Sequence, residues 1–234
     1  MFQIPVRFFK LCGWSLFIGG VMGMLGQILH APDVPGSVAS IPEFLKLAVN
    51  LHVLLAFSST FILLGLPAVF LRQASSLRWW GWLAFPLLFI GLMLEIFHGP
   101  VQIFAYPLLF GSIKTEDQLK VVSDQINNMI VDEFPLQLLV VVPMVPFLLF
   151  GFLLFGISML YARLLPKGCA IFILIVLALL VCGNFIKHPV FDYSVALVHL
   201  IFIWLGLILA FERLEEQPVQ RSSVQPDGRD ISSW

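Results

Sequence analysis

Charge is what this sequence has least of. Lys and Arg number 13 and Asp and Glu 14 in 234 residues, so 12% of positions are charged while 59% are apolar. No soluble core of this size needs so much apolar surface. The formal net charge of −1 says nothing about nucleic acid, which is not expected as a partner, whereas the distribution of charge is informative. Cysteine is scarce as well. Cys12, Cys169 and Cys182 include no CxxC pair, which removes the thiolate clusters of zinc sites; the three thiols are expected to be buried small hydrophobes without a disulfide. GxSxG and glycine-rich phosphate loops are absent. Ser58 and Ser59 fall about nine and ten Å along a helix axis from His52, too far for a nucleophile and its base. These absences count against a hydrolase and a nucleotide-binding enzyme.

What is present is six long apolar stretches, at about 11–30, 48–71, 79–98, 135–161, 168–186 and 193–212. Each is near the ~20 residues with which a helix crosses the hydrocarbon core. The chain reads as all-α, a single six-span membrane domain over 1–212, followed by a tail, 213–234, whose Pro218, Ser222, Ser223, Pro226 and Gly228 predict disorder in the cytoplasm. With the amino terminus inside, Arg7, Lys10, Arg72, Arg78, Arg163, Lys167, Arg213, Arg221 and Arg229 fall inside, and only Lys46, Lys114, Lys120 and Lys187 fall outside. That excess places both termini in the cytoplasm of a bacterial-type plasma membrane. Acidic groups run the other way, with Asp33, Glu43, Glu116, Asp117, Asp124, Asp132, Glu133 and Asp192 among those on the outer side. Arg7 and Lys10 before the first run also suit a signal peptide. The length of the run, Gln27 within it and Pro32 directly after Ala31 read better as a true span.

Local signals refine the segments. Gly19, Gly20, Gly23 and Gly26 form a small-residue stripe with one GxxxG, which predicts close packing against another helix of the same chain. Ser40-Ile41-Pro42-Glu43 reads as a capping box that starts the second helix outside the bilayer. Gly99-Pro100 is expected to end the third helix. That leaves the run 101–110, with Gln102, Tyr106 and Pro107, too short to span and lying at the interface or re-entering the membrane. Thr115 to Gln118 caps a short amphipathic outer helix within about 112–133, with Leu119, Val122, Ile126, Met129 and Ile130 on its apolar face. Pro143 and Pro146 are expected to kink the fourth span in its outer half.

All five histidines, His30, His52, His98, His188 and His199, fall toward the outer ends of these segments. Glu95 lies about 25 Å above Arg78 on the third helix, still inside the apolar slab, and shares a helix face with His98 three residues on. Ionisable groups at such depth are costly and need a partner or a purpose. Three chemistries suit the set. Axial ligation of haem b would use His52 with His98 or His199 between helices. A divalent metal site would use His52, Glu95, His98 and His199, with His30 as a further donor. Metal-free proton relay would use Glu95 and the histidines. A single ExxH does not choose between them.

Val6-Arg7-Phe8-Phe9-Lys10 opens the first helix, Leu51-His52-Val53-Leu54-Leu55 lies at the outer start of the second, and Gly81-Trp82-Leu83-Ala84-Phe85-Pro86-Leu87-Leu88 lies in the third. Together these resemble short six-helix bacterial relatives of haem–copper oxidase subunit I, over less than half of the chain. The resemblance implies low-spin haem on His52. It departs where Asn50 and Leu51 precede His52 instead of a His-x-His-Leu pattern, and where the paired histidines of a copper centre are missing.

The expected function is therefore haem or metal binding at the extracytoplasmic side, serving electron transfer or oxidoreduction, with the lipid bilayer, a quinone or another membrane subunit as partners. The alternative is a non-catalytic accessory subunit or a small transporter, against which the sequence offers no inverted repeat. A reporter fused after Trp234 should be cytoplasmic and one inserted near Ser112 external. Opposite results would invert the placement of every histidine.

Overall fold

The computed structural model describes residues 4–30, 32–127, 135–186 and 193–211. His188, Lys187, Asp192, Met129, Ile130, Asp132, Glu133 and the tail 213–234 lie outside these residues. Eight α-helices follow in order: α1 (Val6–Ile28), α2 (Ile41–Gln73), α3 (Trp79–Pro100), α4 (Tyr106–Phe110), α5 (Glu116–Asn127), α6 (Pro135–Ala162), α7 (Lys167–Phe185) and α8 (Ser194–Phe211). A 3-10 turn at Val38–Ser40 precedes α2, and a π turn at Val101–Ala105 joins α3 to α4. Among the described residues five helical runs are long and apolar enough to cross a membrane: Val6–Ile28, Val38–Gln73, Trp79–Phe110, Pro143–Ala162 and Ser194–Phe211. The apolar stretch of α7, Lys167–Gly183, is shorter.

The six long helices close into a ring. α1 packs on α2 and α8, α3 on α2 and α6, and α7 on α6 and α8. Neighbours run antiparallel: positions 13, 20 and 23 of α1 meet 210, 203 and 199 of α8 in descending order, and Gly81 and Gly91 of α3 meet Ser158 and Leu148 of α6. The beginning of α1 and the end of α8 consequently lie at one end of the bundle, opposite His30, His52, His98 and His199.

Glycine makes the α1 contacts possible. A Cβ on Gly13 would stand 2.6 Å from the Ala210 backbone nitrogen, and one on Gly20 2.8 Å from the His199 carbonyl oxygen. On its other side Gly19 is 2.8 Å, measured the same way, from the Ser58 carbonyl oxygen. Lipid tails are as apolar as leucine, so helices in a bilayer associate through such close approach more than through burial of apolar area. The stripe therefore serves two partners of the same chain, α2 and α8.

Phenylalanine fills the centre of the ring. The Phe70 ring lies 5.1 Å from that of Phe155, joining α2 to α6, and Phe152 lies 5.7 Å from Phe202, joining α6 to α8. Leu11, Leu64, Phe150 and Ile175 are exposed on the outer surface of the ring, as a lipid-facing surface requires. Near the end away from the histidines, Trp79 is exposed, Trp80 packs on Tyr161, and the Arg78 guanidinium lies 5.3 Å from the Tyr161 ring centre. This is the arrangement of an aromatic belt at a membrane boundary.

The histidine end departs from the sequence reading in two places. Gly99-Pro100 does not end the helix: the Trp79–Phe110 run continues through the π turn, whose wider coil accommodates a proline that lacks an N–H and crowds the preceding turn. The box expected at Ser40 and Glu43 is also displaced. Ser40 turns its hydroxyl back to donate to the Ser37 carbonyl at 2.8 Å and accepts from the Ser37 N–H at 3.2 Å, which caps the 3-10 turn. The Thr115 box does form, with Thr115 Oγ1 accepting from Gln118 N–H at 3.3 Å and Gln118 Oε1 accepting from Thr115 N–H at 3.3 Å.

With 33 residues, α2 is about 50 Å long and exceeds the ~30 Å hydrocarbon slab. Its surplus carries a second small core. Ile41, Phe44 and Ala48 of α2 pack with Tyr106, Phe110 and Ile113, and Leu119, Val122 and Ile126 of α5 close over them. One face of the run 101–110, with Gln102, Tyr106 and Phe110, is thus buried on protein while Phe104, Leu108 and Leu109 stay exposed, and Glu116 ties α5 to the 3-10 turn by accepting from Val38 N–H at 2.9 Å. The thiols also differ from expectation. Cys12 and Cys169 are buried, but Cys182 is exposed, because it lies on the outward side of α7.

Gly13→Ala should lower stability in detergent by about 1–3 kcal/mol, because the added methyl meets backbone that cannot move aside. Gly36→Ala, with nothing within 4 Å of the added carbon, should leave the unfolding midpoint unchanged.

Candidate functional site

The histidine half of the bundle holds two polar groupings. The first lies within the ring. A cavity of about 290 Å³ is walled by apolar side chains, among them Leu148, Phe152 and Phe202, with Gln27, Glu95 and His199 as its polar members. It opens beside the two prolines of α6, where Met144 and Val145 line it. Each proline withdraws an N–H from the helix ladder, and the helix packs less tightly there.

Glu95 is partly exposed to this cavity and accepts a hydrogen bond from Ser59 Oγ at 2.9 Å. Antiparallel packing of α2 on α3 brings the two residues level. His199 is buried at 5% exposure and donates from Nδ1 to the Val195 carbonyl at 3.3 Å. A carbonyl only accepts, so this contact puts the proton on Nδ1 and leaves Nε2 with its lone pair. The Cδ2–Nε2 edge of the ring fits against Gly23, where a Cβ would overlap it. Ser58 lies beside the same glycine and donates to the Gly19 carbonyl at 2.7 Å.

The second grouping is at the mouth. His52, 7% exposed, donates from Nδ1 to the Ala48 carbonyl at 2.7 Å, and its ring meets that of the exposed His30 edge to face, with centres 5.4 Å apart and planes at 76°. His98 lies within electrostatic range of both rings, and Asp33 within range of His52 and His98.

The structure thus distributes the residues singled out from the sequence. Glu95 and His199 share the cavity, while His52, His98 and His30 gather at the mouth with Asp33. Among the described residues no three His, Cys, Asp or Glu side chains lie close enough together to hold a metal ion. Haem b needs one or two axial imidazoles, and where two are used they stand on opposite faces of a flat macrocycle. His30 and His52 meet edge to face, which leaves no plane for one between them, and the Nε2 edge of His199 is packed on Gly23.

Gln27, Ser58, Ser59 and Gly23 are the members that sequence reasoning did not assign to the site. Periodicity held part of the signal, because Ser59 is seven residues from His52 and Gln27 four from Gly23, on shared helix faces. No family model, no curated protein and no solved structure matches this chain.

Ser59→Ala should destabilise the protein by about 1–3 kcal/mol, because it strips a hydrogen-bond donor from a carboxyl group deep in the bundle. Glu95→Gln keeps an acceptor for Ser59 and should melt within about 1 kcal/mol of the wild type. Equal melting of wild type and Ser59→Ala would show that the bond contributes nothing.

Proposed function

We propose that this chain is a six-span protein of the bacterial plasma membrane, both termini cytoplasmic, which binds a lipophilic carbonyl compound of the quinone type in the cavity lined by Glu95 and His199. Its role in this reading is electron transfer at the extracytoplasmic side, with a second membrane subunit as redox partner. One observation carries it: the apolar cavity holds a few convergent polar groups and borders the lipid. Val145 and Val195 line it and are 51% and 39% exposed on the outside of the bundle, so a molecule dissolved in the bilayer can reach Glu95 without crossing water.

The chemistry follows from the donor set. Apolar pockets with a small number of placed polar groups fix the orientation of a ligand's head. Reduction of a quinone to a quinol takes up two electrons and two protons. Glu95 and His199 are two groups at the cavity that exchange protons, and Gln27 can donate to a carbonyl oxygen or accept from a hydroxyl. The electrons would pass to or from the partner subunit.

A second reading, a divalent metal at the mouth, rests on the Nε2 of His52, left free by the neutral tautomer beside His30; it would require His98 or Asp33 to move in, since no three such side chains stand within ligating reach among the described residues. Elemental analysis of protein purified gently from its native membrane separates the two, and an intense Soret band would restore haem b.

A short-chain benzoquinone titrated into the purified protein should quench tryptophan fluorescence saturably and raise the melting temperature. Glu95→Gln replaces the O–H that a protonated Glu95 would donate to a quinone carbonyl with a weaker amide donor, and should bind about tenfold more weakly, with its fold intact. Absence of saturable binding by the wild type, or equal affinity in Glu95→Gln, would overturn the quinone reading and favour an accessory or transport role.

A further inference from the structure

The end of the bundle opposite the histidines carries a groove of about 610 Å³ between the α6–α7 turn and the last turns of α8. Its walls include Leu164, Leu207, Ile208 and Phe211, and its rim carries Arg163 and Lys167. Both cations are exposed, as are Leu164 at 37% and Phe211 at 67%. The groove opens on the outside of the bundle, at the end that carries Trp79, Trp80 and Tyr161.

Among the described residues, charge at this end is basic. Every acidic residue among those described, Asp33, Glu43, Glu95, Glu116, Asp117 and Asp124, lies in the histidine half or on the elements capping it. Arg163 and Lys167 therefore have no acidic side chain near them among the described residues. Arg163 also occupies the left-handed position that follows α6, with φ of 57°, where glycine would sit without strain. A long cationic side chain stands where the backbone favours none.

We propose that this groove binds an anionic phospholipid of the phosphatidylglycerol or cardiolipin class. Arg163 and Lys167 would hold the phosphodiester, and the Leu164, Leu207, Ile208 and Phe211 surface would take the first part of an acyl chain. Basic pockets between helices at the membrane boundary are suited to such headgroups, since Arg matches phosphate in bidentate geometry and the apolar wall accepts the chain. The site is remote from the cavity and does not depend on its occupant.

The test uses the full chain in a neutral detergent, examined by native mass spectrometry and by thermal unfolding with added phosphatidylglycerol, cardiolipin or phosphatidylcholine. The anionic lipids should stay bound and raise the melting temperature, and phosphatidylcholine should do neither. Arg163→Gly suits the left-handed turn and should fold at least as well as the wild type. It should bind roughly fivefold more weakly, and with Lys167→Gln about 30-fold more weakly, the effect expected of juxtamembrane cations. Equal retention of phosphatidylcholine, wild-type affinity in the double variant, or full competition by glycerol phosphate would each overturn the proposal. So would anionic-lipid binding that appears only after removal of residues 213–234, which would make the chain's own acidic tail the occupant.

Discussion

Close backbone contact along one face of α1 is the interaction on which the other features depend. In hydrocarbon there is no water to expel between helices, so the ring must be closed by shape and by hydrogen bonds. Gly13, Gly20 and Gly23 let α8 approach, and Gly19 and Gly26 let α2 approach on the adjoining side. This fixes the register of three helices together. It brings Ser58 of α2 and His199 of α8 to the same glycine, and it sets Gln27, one turn further along α1, at the cavity wall.

Polar groups inside the ring are mostly absorbed by backbone carbonyls. Ser15 donates to Phe61, Ser58 to Gly19, His52 to Ala48 and His199 to Val195. Each of these contacts satisfies a donor at little cost and is a structural explanation for the residue. Glu95 differs, because a carboxyl group needs donors and a helix interior offers carbonyls. Ser59 supplies one donor, and the remaining capacity faces the cavity. The contrast sets Glu95 apart from those four groups, each of which is satisfied by a backbone carbonyl.

The two halves of the bundle are built differently for the same reason. Away from the histidines the interior is packed with Phe70, Phe155, Leu16 and Leu66, all fully buried, and dense packing leaves no room for a guest. Toward the histidines, proline interrupts α6 at 143 and 146 and imposes the π turn after α3. The cavity lies beside the prolines of α6.

The sequence by itself determined the membrane class, the helical segments and the gathering of histidines toward one end, because length, apolar content and proline or glycine position act locally along the chain. The Thr115 cap and the apolar face of α5 were legible for the same reason. The fate of Gly99-Pro100 was not, since whether a proline ends a helix or passes through a π turn depends on what the following segment can pack against, here Phe44 and Ile41 of α2. Nor could the site be divided correctly. Glu95 and His98 share a helix face, yet Glu95 belongs with Ser59 and His199 while His98 belongs with His30, His52 and Asp33. Only the register between antiparallel helices decides that, and register is set by where glycine backbones meet their neighbours across the ring.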